Sequence, residues 1–425
     1  MRLDTPHQLV TLAGGTRLLT APMPDRSSVS MVLMFGVGSR YEDDRVSGVS
    51  HFIEHLFFKG TGKRPTAKEI AEAIEGVGGV MNASTDKELT VYWTRVPSER
   101  LELALDVLFD IVTDSRLVPD DIDRERLVIL QELKMYHDQP QDYVHSIFER
   151  LMWPRHPLGR DIVGTQDSIR SMSRDDLVAY IHSHYRGPNL VVGVAGDLDP
   201  GHTVDLVRSH LRLPEQPNGL ARPGSPPPLA GPGVQVEYRK TEQAHICLGT
   251  RGVSYLDPDR YTLDLVNTIL GEGMSSRLFL EIRERRSLAY DVHSYTSKHH
   301  DVGYFAVYLG VDPKKAHDAV EAVVAELHKL ADSPVADIEL NKAKEFTKGR
   351  LRLGLESTNA VASWLTQQLL LTGRIRSVEE VVALVDAVRP EDIQRVAGRV
   401  LKSAIQLAVV GPYESDAGFS GTIGA

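Results

Sequence analysis

The segment HFIEH at residues 51–55 holds the side chains of this sequence that are best suited to chemistry. On a helix, His51 and His55 lie one turn apart on one face, so both imidazoles can reach one metal ion. The residues around them are largely apolar, and buried histidines beside a buried glutamate are costly unless something pairs them. The spacing therefore predicts a zinc site on a buried helix. Two structural histidines on an amphipathic helix are the alternative.

A catalytic zinc ion needs a third protein ligand and a fourth position left for water. The pattern from Asp120 to His137 predicts a helix in which Glu125 and Glu132, seven residues apart, share a mostly apolar stripe. We expect Glu132 to be the third ligand and Glu125 to accept a hydrogen bond from a ligand imidazole. A solvated surface charge is the alternative for each glutamate.

The elements that must position these residues are predicted to be strands followed by helices. Residues 29–36 form a continuous apolar run and residues 89–96 alternate, as strands do. Further helices are predicted from Pro65 to about Val77 and from Glu99 to Thr113. Because strands and helices do not alternate strictly, the sequence favours an α+β fold with largely antiparallel sheets and helices packed on one face.

A Pro- and Gly-rich stretch at residues 214–233 divides the chain into two halves, residues 1–213 and 234–425. Landmarks recur between the halves at a nearly fixed separation. For example, the pair Asp121 and Ile122 recurs 216 residues later as Asp337 and Ile338. We therefore predict two copies of one α+β unit, joined by this linker.

The repeat predicts that metal binds only in the first half. At this separation the three polar positions of HFIEH fall on Val266, Ile269 and Leu270, or one residue later, where no side chain can replace an imidazole. Glu132 falls on Lys348, whose ammonium group would repel a divalent cation. We therefore expect one zinc ion per chain.

The composition of the chain limits which class of protein it can be and in which cellular compartment we expect it. The formal net charge of −10 and the lack of a lysine-rich run argue against a nucleic-acid partner. The single cysteine, Cys247, excludes an internal disulfide and a cysteine-based zinc site. The N-terminal residues do not resemble a secretory signal, and no apolar run approaches the roughly 18 residues that span a bilayer. We expect a cytoplasmic protein without a membrane-spanning segment.

The arrangement of these motifs resembles the pitrilysin or M16 family of inverzincins, particularly its processing-peptidase branch. The family signature is HxxEH followed by a glutamate 77 residues after the second histidine, and His51, Glu54, His55 and Glu132 match it position by position. The resemblance continues through GSRYED, FKGT and MNASTDKELTVYW, and through SSRLFLEIRERRSLAYDV in the second half. It covers essentially the whole chain.

This resemblance implies a zinc metalloendopeptidase that cleaves extended oligopeptides or unfolded precursor segments in an enclosed chamber. Zinc would be bound by His51, His55 and Glu132, with Glu54 as general base and Glu125 as the accessory glutamate. Asn82 and Ala83 would lie in a substrate-binding edge strand. Arg283 and Tyr290 of the second half would contact the substrate, with Tyr290 also a donor to the oxyanion.

The resemblance also bears on assembly and on the competing functions. In the family a domain like the second half faces the zinc domain, so a homodimer could build two composite sites from both chains. A noncatalytic structural subunit of the same family is one alternative, although such subunits characteristically lack the zinc residues. A module that holds peptides without cutting them is the other alternative.

Overall fold

The computed structural model describes residues 6–213, 222–416 and 418–424. These residues form two compact units, each with one sheet and its own core. Neither unit is a continuous piece of chain. Unit 1 combines residues 6–133 and 160–213 with residues 222–223 and 352–378, and unit 2 contains residues 134–159, 224–351, 379–416 and 418–424.

The strands follow the apolar and alternating segments of the sequence. Those predicted at 29–36 and 89–96 are present as β3 and β5, each shifted by one residue. The strands are β1 Gln8–Thr11, β2 Arg17–Pro22, β3 Ser28–Phe35, β4 Val80–Thr85, β5 Thr90–Pro97, β6 Leu190–Gly196, β7 Gly233–Tyr238, β8 Ala244–Arg251, β9 Ala289–Lys298, β10 Gly303–Val311 and β11 Gln406–Gly411.

The helices begin at the capping residues and turns that the sequence supplies. A capping box at Thr66, for example, starts the helix expected from Pro65. The helices are α1 Val49–Phe57, α2 Ala67–Glu75, α3 Leu101–Thr113, α4 Pro119–Asp138, α5 Pro140–Met152, α6 Gln166–Ser171, α7 Arg174–His184, α8 Pro200–His210, α9 Arg260–Gly271, α10 Ala316–Asp332, α11 Asp337–Gly354, α12 Thr358–Thr372, α13 Val378–Asp386, α14 Pro390–Leu401 and α15 Phe419–Ile423.

Both sheets are largely antiparallel, as predicted. The sheet of unit 1 has the order β1-β2-β6-β3-β5-β4, and only β2 and β6 run parallel. The sheet of unit 2 has the order β7-β11-β8-β10-β9, and only β7 and β11 run parallel. From β2 onward the first sheet therefore repeats in the second, which agrees with the predicted duplication.

The main helical layer of unit 1 covers one face of its sheet. Met31, Leu33 and Phe35 of β3 point to this face and pack in one buried cluster with residues of α1, α2, α3 and α7. The equivalent layer of unit 2 covers Ile246 and Leu248 of β8 with α9, α10 and α14. The HFIEH segment thus lies on a helix of the core, as the apolar neighbours of its histidines predicted.

Each sheet also has one helix on its other face, beyond the single helical layer that was expected. In unit 1 this helix is α12, and the hydroxyls of Ser30 and Thr358 are 2.8 Å apart. Gly193 allows the close approach, because a Cβ there would lie 2.2 Å from the Thr366 hydroxyl. In unit 2 the helix is α5, which packs with Cys247 and neighbouring strand residues in a separate cluster.

These two helices change the division into domains. Helix α5 comes from the first half of the sequence but packs in unit 2, and α12 comes from the second half but packs in unit 1. The compact units therefore differ from the contiguous domains 1–213 and 234–425. Residues 214–221 of the expected linker 214–233 lie outside the described residues. None of the described helices combines the length and apolar character needed to cross a membrane.

Candidate metal centre

Helix α1 holds the HFIEH segment, and its N-terminus is fixed by a distant side chain. Gly48 precedes the helix in the left-handed region, at φ 91°, and provides no capping side chain. The buried carboxylate of Glu42 instead accepts hydrogen bonds from the backbone N–H groups of Gly48, at 2.7 Å, and Ser50, at 2.9 Å. The next residue is His51, so this contact orients the turn that carries the first histidine.

Helix α4 brings Glu132 to the two histidines of α1. Its carboxylate oxygens lie 3.7 Å from Nε2 of His51 and 3.7 Å from Nε2 of His55. One ligand atom from each residue lies within 4.8 Å of the other two. Within the described parts of the chain, this is the one group of three or more His, Cys, Asp or Glu residues that could hold a metal ion.

The protonation state of His51 suits metal binding. Burial, with a smaller contribution from His55, lowers the pKa of His51 to about 4, so its imidazole is neutral at pH 7 and can act as a ligand. Burial also raises the pKa of Glu132, opposed by His55. Two imidazole nitrogens and one carboxylate form a donor set that zinc accepts in catalytic sites. The residues present therefore fit a zinc ion.

Glu125 lies behind one of the histidines. Its Oε2 is 3.1 Å from Nδ1 of His55, and its Oε1 is 2.6 Å from the ammonium group of Lys59. A carboxylate bonded to Nδ1 directs the other imidazole nitrogen, Nε2, toward a metal ion. By contrast, Nδ1 of His51 is buried without a hydrogen-bond partner among the described residues.

Glu54 points to the sheet edge beside the same group. The Thr85 hydroxyl of β4 donates a hydrogen bond of 2.5 Å to its Oε2. Burial raises the pKa of Glu54, while the Thr85 hydrogen bond and the charge of His55 act in the opposite direction. A carboxylate with a raised pKa is a stronger base, which suits proton transfer from water.

Strand β4 is the edge of its sheet and carries Asn82 and Ala83. It pairs with β5 along its length, with Asn82 opposite Trp93 and Ala83 opposite Tyr92. Its side chains alternate between exposed and partly buried. An edge strand of this kind can pair with an extended peptide.

Arg283 and Tyr290 lie together in unit 2, Arg283 in the short helical segment Phe279–Arg285 and Tyr290 at the start of β9. The Arg283 guanidinium is 5.2 Å from the centre of the Tyr290 ring and 4.9 Å from that of Phe279. Tyr290 is 75% exposed. Both residues line a groove of about 490 Å³ with Ser287 and Lys315. They belong to a different compact unit from the histidines.

The repeat positions in unit 2 have a different chemistry from those in unit 1. Val266, Ile269 and Leu270 are buried apolar residues of α9. Lys348, at the position equivalent to Glu132, forms ion pairs with Asp386 at 2.8 Å and with Glu345 at 2.7 Å. These positions therefore provide ion pairing and core packing in place of metal ligands.

Three contacts at the site were not assigned from the sequence: those of Glu42, Lys59 and Thr85. Each residue belongs to a segment that carried the family resemblance, namely GSRYED, FKGT or MNASTDKELTVYW. Membership of those segments was the available signal, but it did not indicate which side chain each residue contacts. Cys247 is fully buried and its pKa is raised to about 12 by burial, which does not suit a thiolate nucleophile.

Comparisons with known proteins show similarity along most of this chain. Residues 17–166 match the insulinase family, peptidase family M16, and residues 171–346 match the peptidase M16 inactive domain. An uncharacterized zinc protease of Streptomyces coelicolor is 40% identical over 413 residues, which are 95% of this chain and 89% of that protein.

Solved structures share the fold at lower sequence identity. A protease from Helicobacter pylori aligns with a TM-score of 0.90 and 24% identity, over 96% of this chain and 100% of that chain. A chain of complex III from Candida albicans aligns with a TM-score of 0.82 and 19% identity, over 96% of both chains. The two-sheet α+β architecture is therefore common to all three.

Proposed function

The chain belongs to the M16 family of peptidases, and from this premise we propose that it is a zinc-dependent endopeptidase of the inverted HxxEH type. The observation that carries the proposal is the convergence of His51, His55 and Glu132, with Glu54 beside them. The zinc protease named among its relatives supports the same class of reaction.

The residues of unit 1 have two roles in the proposed reaction, metal binding and proton transfer. Two imidazole nitrogens, from His51 and His55, and the Glu132 carboxylate would hold the ion. Zinc bound there would supply Lewis-acid polarisation of the scissile carbonyl and of a water molecule. Glu54 accepts the proton of the attacking water and returns it to the leaving amine, while Thr85 holds its Oε2.

The substrate we propose is an extended oligopeptide or an unfolded precursor segment, cut within an enclosed chamber. The exposed edge of β4, at Asn82 and Ala83, supports this proposal because strand addition binds the peptide backbone whatever the side chains. The roles of Arg283 in gripping the substrate and of Tyr290 in donating to the oxyanion rest on the family resemblance. Their shared groove gives these two side chains access to a ligand.

Metal content and hydrolysis test the proposal together. We expect about one zinc ion per chain, with tight binding lost on replacing His51, His55 or Glu132 by alanine. Glu54→Gln should keep the zinc and lose cleavage of an unstructured peptide, because the amide cannot accept the proton. Elemental analysis and a fluorogenic peptide assay measure the two properties.

The control for these variants is Lys348→Ala, which changes the equivalent position of unit 2 and should keep the zinc. Two zinc ions per chain would refute the assignment of metal to unit 1 alone. Loss of zinc from Glu54→Gln would show that the metal ligand and the general base have been assigned to the wrong residues. A zinc-loaded protein that binds peptides without cutting them would favour the noncatalytic alternative, a peptide-binding or structural subunit.

We also propose a homodimer, on the strength of the family resemblance. The test is to mix Glu54→Gln chains with Tyr290→Phe chains, each nearly inactive alone, and to allow subunit exchange. Recovered activity would indicate that Tyr290 serves the zinc centre of the partner chain. Exchange without recovery would indicate that both residues act within one chain, and a stable, active monomer would refute the dimer. The cytoplasmic location stays a prediction.

A further inference from the structure

Lys59 is connected to the candidate metal centre through one carboxylate. Its ammonium group lies 2.6 Å from Oε1 of Glu125, whose Oε2 lies 3.1 Å from Nδ1 of His55. We propose that Lys59 is a positioning residue that fixes Glu125, and through it the ligand imidazole of His55. The inference rests on the zinc-binding function proposed above.

The backbone holds Lys59 in place for this role. Helix α1 ends at Phe57, and the backbone N–H of Lys59 donates to the carbonyl of Leu56 at 3.0 Å. Lys59 therefore lies one turn beyond His55, on the side where α4 presents Glu125. A side chain that leaves a fixed helix end loses less conformational freedom on forming a contact than one on a loose loop.

The burial of Glu125 gives the ion pair its importance. Glu125 is 7% exposed, and each of its oxygens has one of the two partners described here. A buried carboxylate needs charge compensation, and Lys59 supplies it at Oε1. Oε2 is then held in the direction of His55. Because an ammonium group has no acceptor, Lys59 cannot itself replace a metal ligand.

The neighbouring ion pair of Lys63 with Asp106 is more exposed to solvent than the pair of Lys59 with Glu125. Lys63 lies four residues further along, and its side chain is 59% exposed. Among the described residues, the two histidines of the candidate metal group pair with Glu125 and Glu132, not with Asp106. The side chain of Lys59 is 32% exposed, and the side chain of Glu125, taken without its backbone, is 9% exposed. Lys63 therefore provides a matched control for the loss of a lysine charge in this region.

The test measures zinc affinity in the full chain by competition with a fluorescent chelator. Lys59→Met keeps the side-chain stem and removes the charge, and we expect it to weaken zinc binding about tenfold, at the lower end of the effect of a ligand-orienting partner. Lys59→Arg should restore most of the affinity because it keeps the cation. Lys63→Met should bind zinc like the wild type.

A double variant separates positioning from simple electrostatic attraction. If Lys59 acts through Glu125, Lys59→Met combined with Glu125→Gln should bind zinc as Glu125→Gln does alone. Additive losses would overturn the inference, as would wild-type affinity in Lys59→Met. Thermal unfolding of the metal-free variants checks folding, and Lys59→Gln replaces Lys59→Met if the latter misfolds.

Measurements on the wild-type protein distinguish failure of this inference from failure of the proposed function. Wild-type protein that binds no zinc would refute the proposed function itself. Wild-type protein that binds zinc and hydrolyses peptide, together with a Lys59→Met variant of unchanged affinity, would refute only the role of Lys59.

Discussion

One hydroxyl orients the carboxylate proposed as general base. Thr85 donates to Oε2 of Glu54 at 2.5 Å and is not a member of the candidate ligand group. Thr85→Val keeps the shape and removes the donor. We expect kcat for peptide cleavage to fall about tenfold, because a misdirected base transfers the proton poorly, while zinc content stays unchanged.

The control for this residue lies on the same strand. Ser84 is exposed, and Ser84→Ala should leave kcat unchanged. A Thr85→Val enzyme with wild-type kcat would show that the hydrogen bond to Glu54 does not contribute to catalysis. Loss of zinc from it would instead indicate that Thr85 supports the metal ligands.

At the scale of the element, helix α1 depends on Glu42. This buried carboxylate accepts hydrogen bonds from two backbone N–H groups at the start of the helix. Gly48, the residue before the helix, has no side chain that could cap it. Glu42→Gln replaces an acceptor oxygen by an amide group that cannot accept. We expect the free energy of unfolding to fall by about 1–3 kcal/mol, measured by urea denaturation.

Glu69 provides a comparison at another helix N-terminus. It belongs to the exposed capping box of α2, where water can replace a lost hydrogen bond, so Glu69→Gln should cost less than Glu42→Gln. Equal losses in the two variants would mean that the burial of Glu42 adds nothing to the stability of α1.

A second element-scale contact predicts how unit 2 responds to acid. Arg277 donates to both oxygens of Glu339 in α11, at 2.8 and 2.7 Å. These hydrogen bonds lower the pKa of Glu339 in the folded state, so the carboxylate stabilises the fold above its unfolded pKa of about 4.3. This stability is lost as the pH falls through the lower, folded pKa.

Glu339→Gln cannot ionise and should lack this part of the pH dependence. The difference in unfolding free energy between wild type and variant should be largest near pH 7 and should shrink as the pH falls below about 4. Urea unfolding at several pH values measures it. A difference that does not change with pH would show that the ion pair does not contribute to acid sensitivity.

At the scale of the whole molecule, helices α5 and α12 each pack in the unit that the other half of the sequence mainly forms. We therefore predict that neither half of the sequence folds alone. A fragment of residues 1–233 lacks α12 and would expose Val32 and Met34 on one face of its sheet, both buried in the full chain. We expect this fragment to aggregate or to bind hydrophobic dyes. Coexpression with residues 234–425 should restore a soluble, cooperatively unfolding protein.

Circular dichroism and denaturant titration of the fragment test this prediction. A fragment 1–233 that unfolds in one cooperative transition by itself would show that α12 is dispensable for unit 1. The experiment also decides between the contiguous domains expected from the linker and the interleaved units of the structure.

The sequence alone determined the local elements of this protein and the residues of its candidate metal group. Helix and strand periodicity assigned β3, β5 and α4 to within one or two residues, and placed His51 and His55 on one helical face. The α+β class followed from the same patterns, and the family followed from the resemblance carried by HxxEH, Glu132 and the segments around them. These features are readable because they depend on residues close together in the chain, where backbone geometry fixes the side-chain directions.

Only the tertiary structure decided which distant side chains meet. The donation from Thr85 to Glu54, the ion pair of Lys59 with Glu125, and the capping of α1 by Glu42 depend on how separate elements pack. The exchange of α5 and α12 has the same origin, because an amphipathic helix specifies that it must cover an apolar face but not which sheet supplies that face.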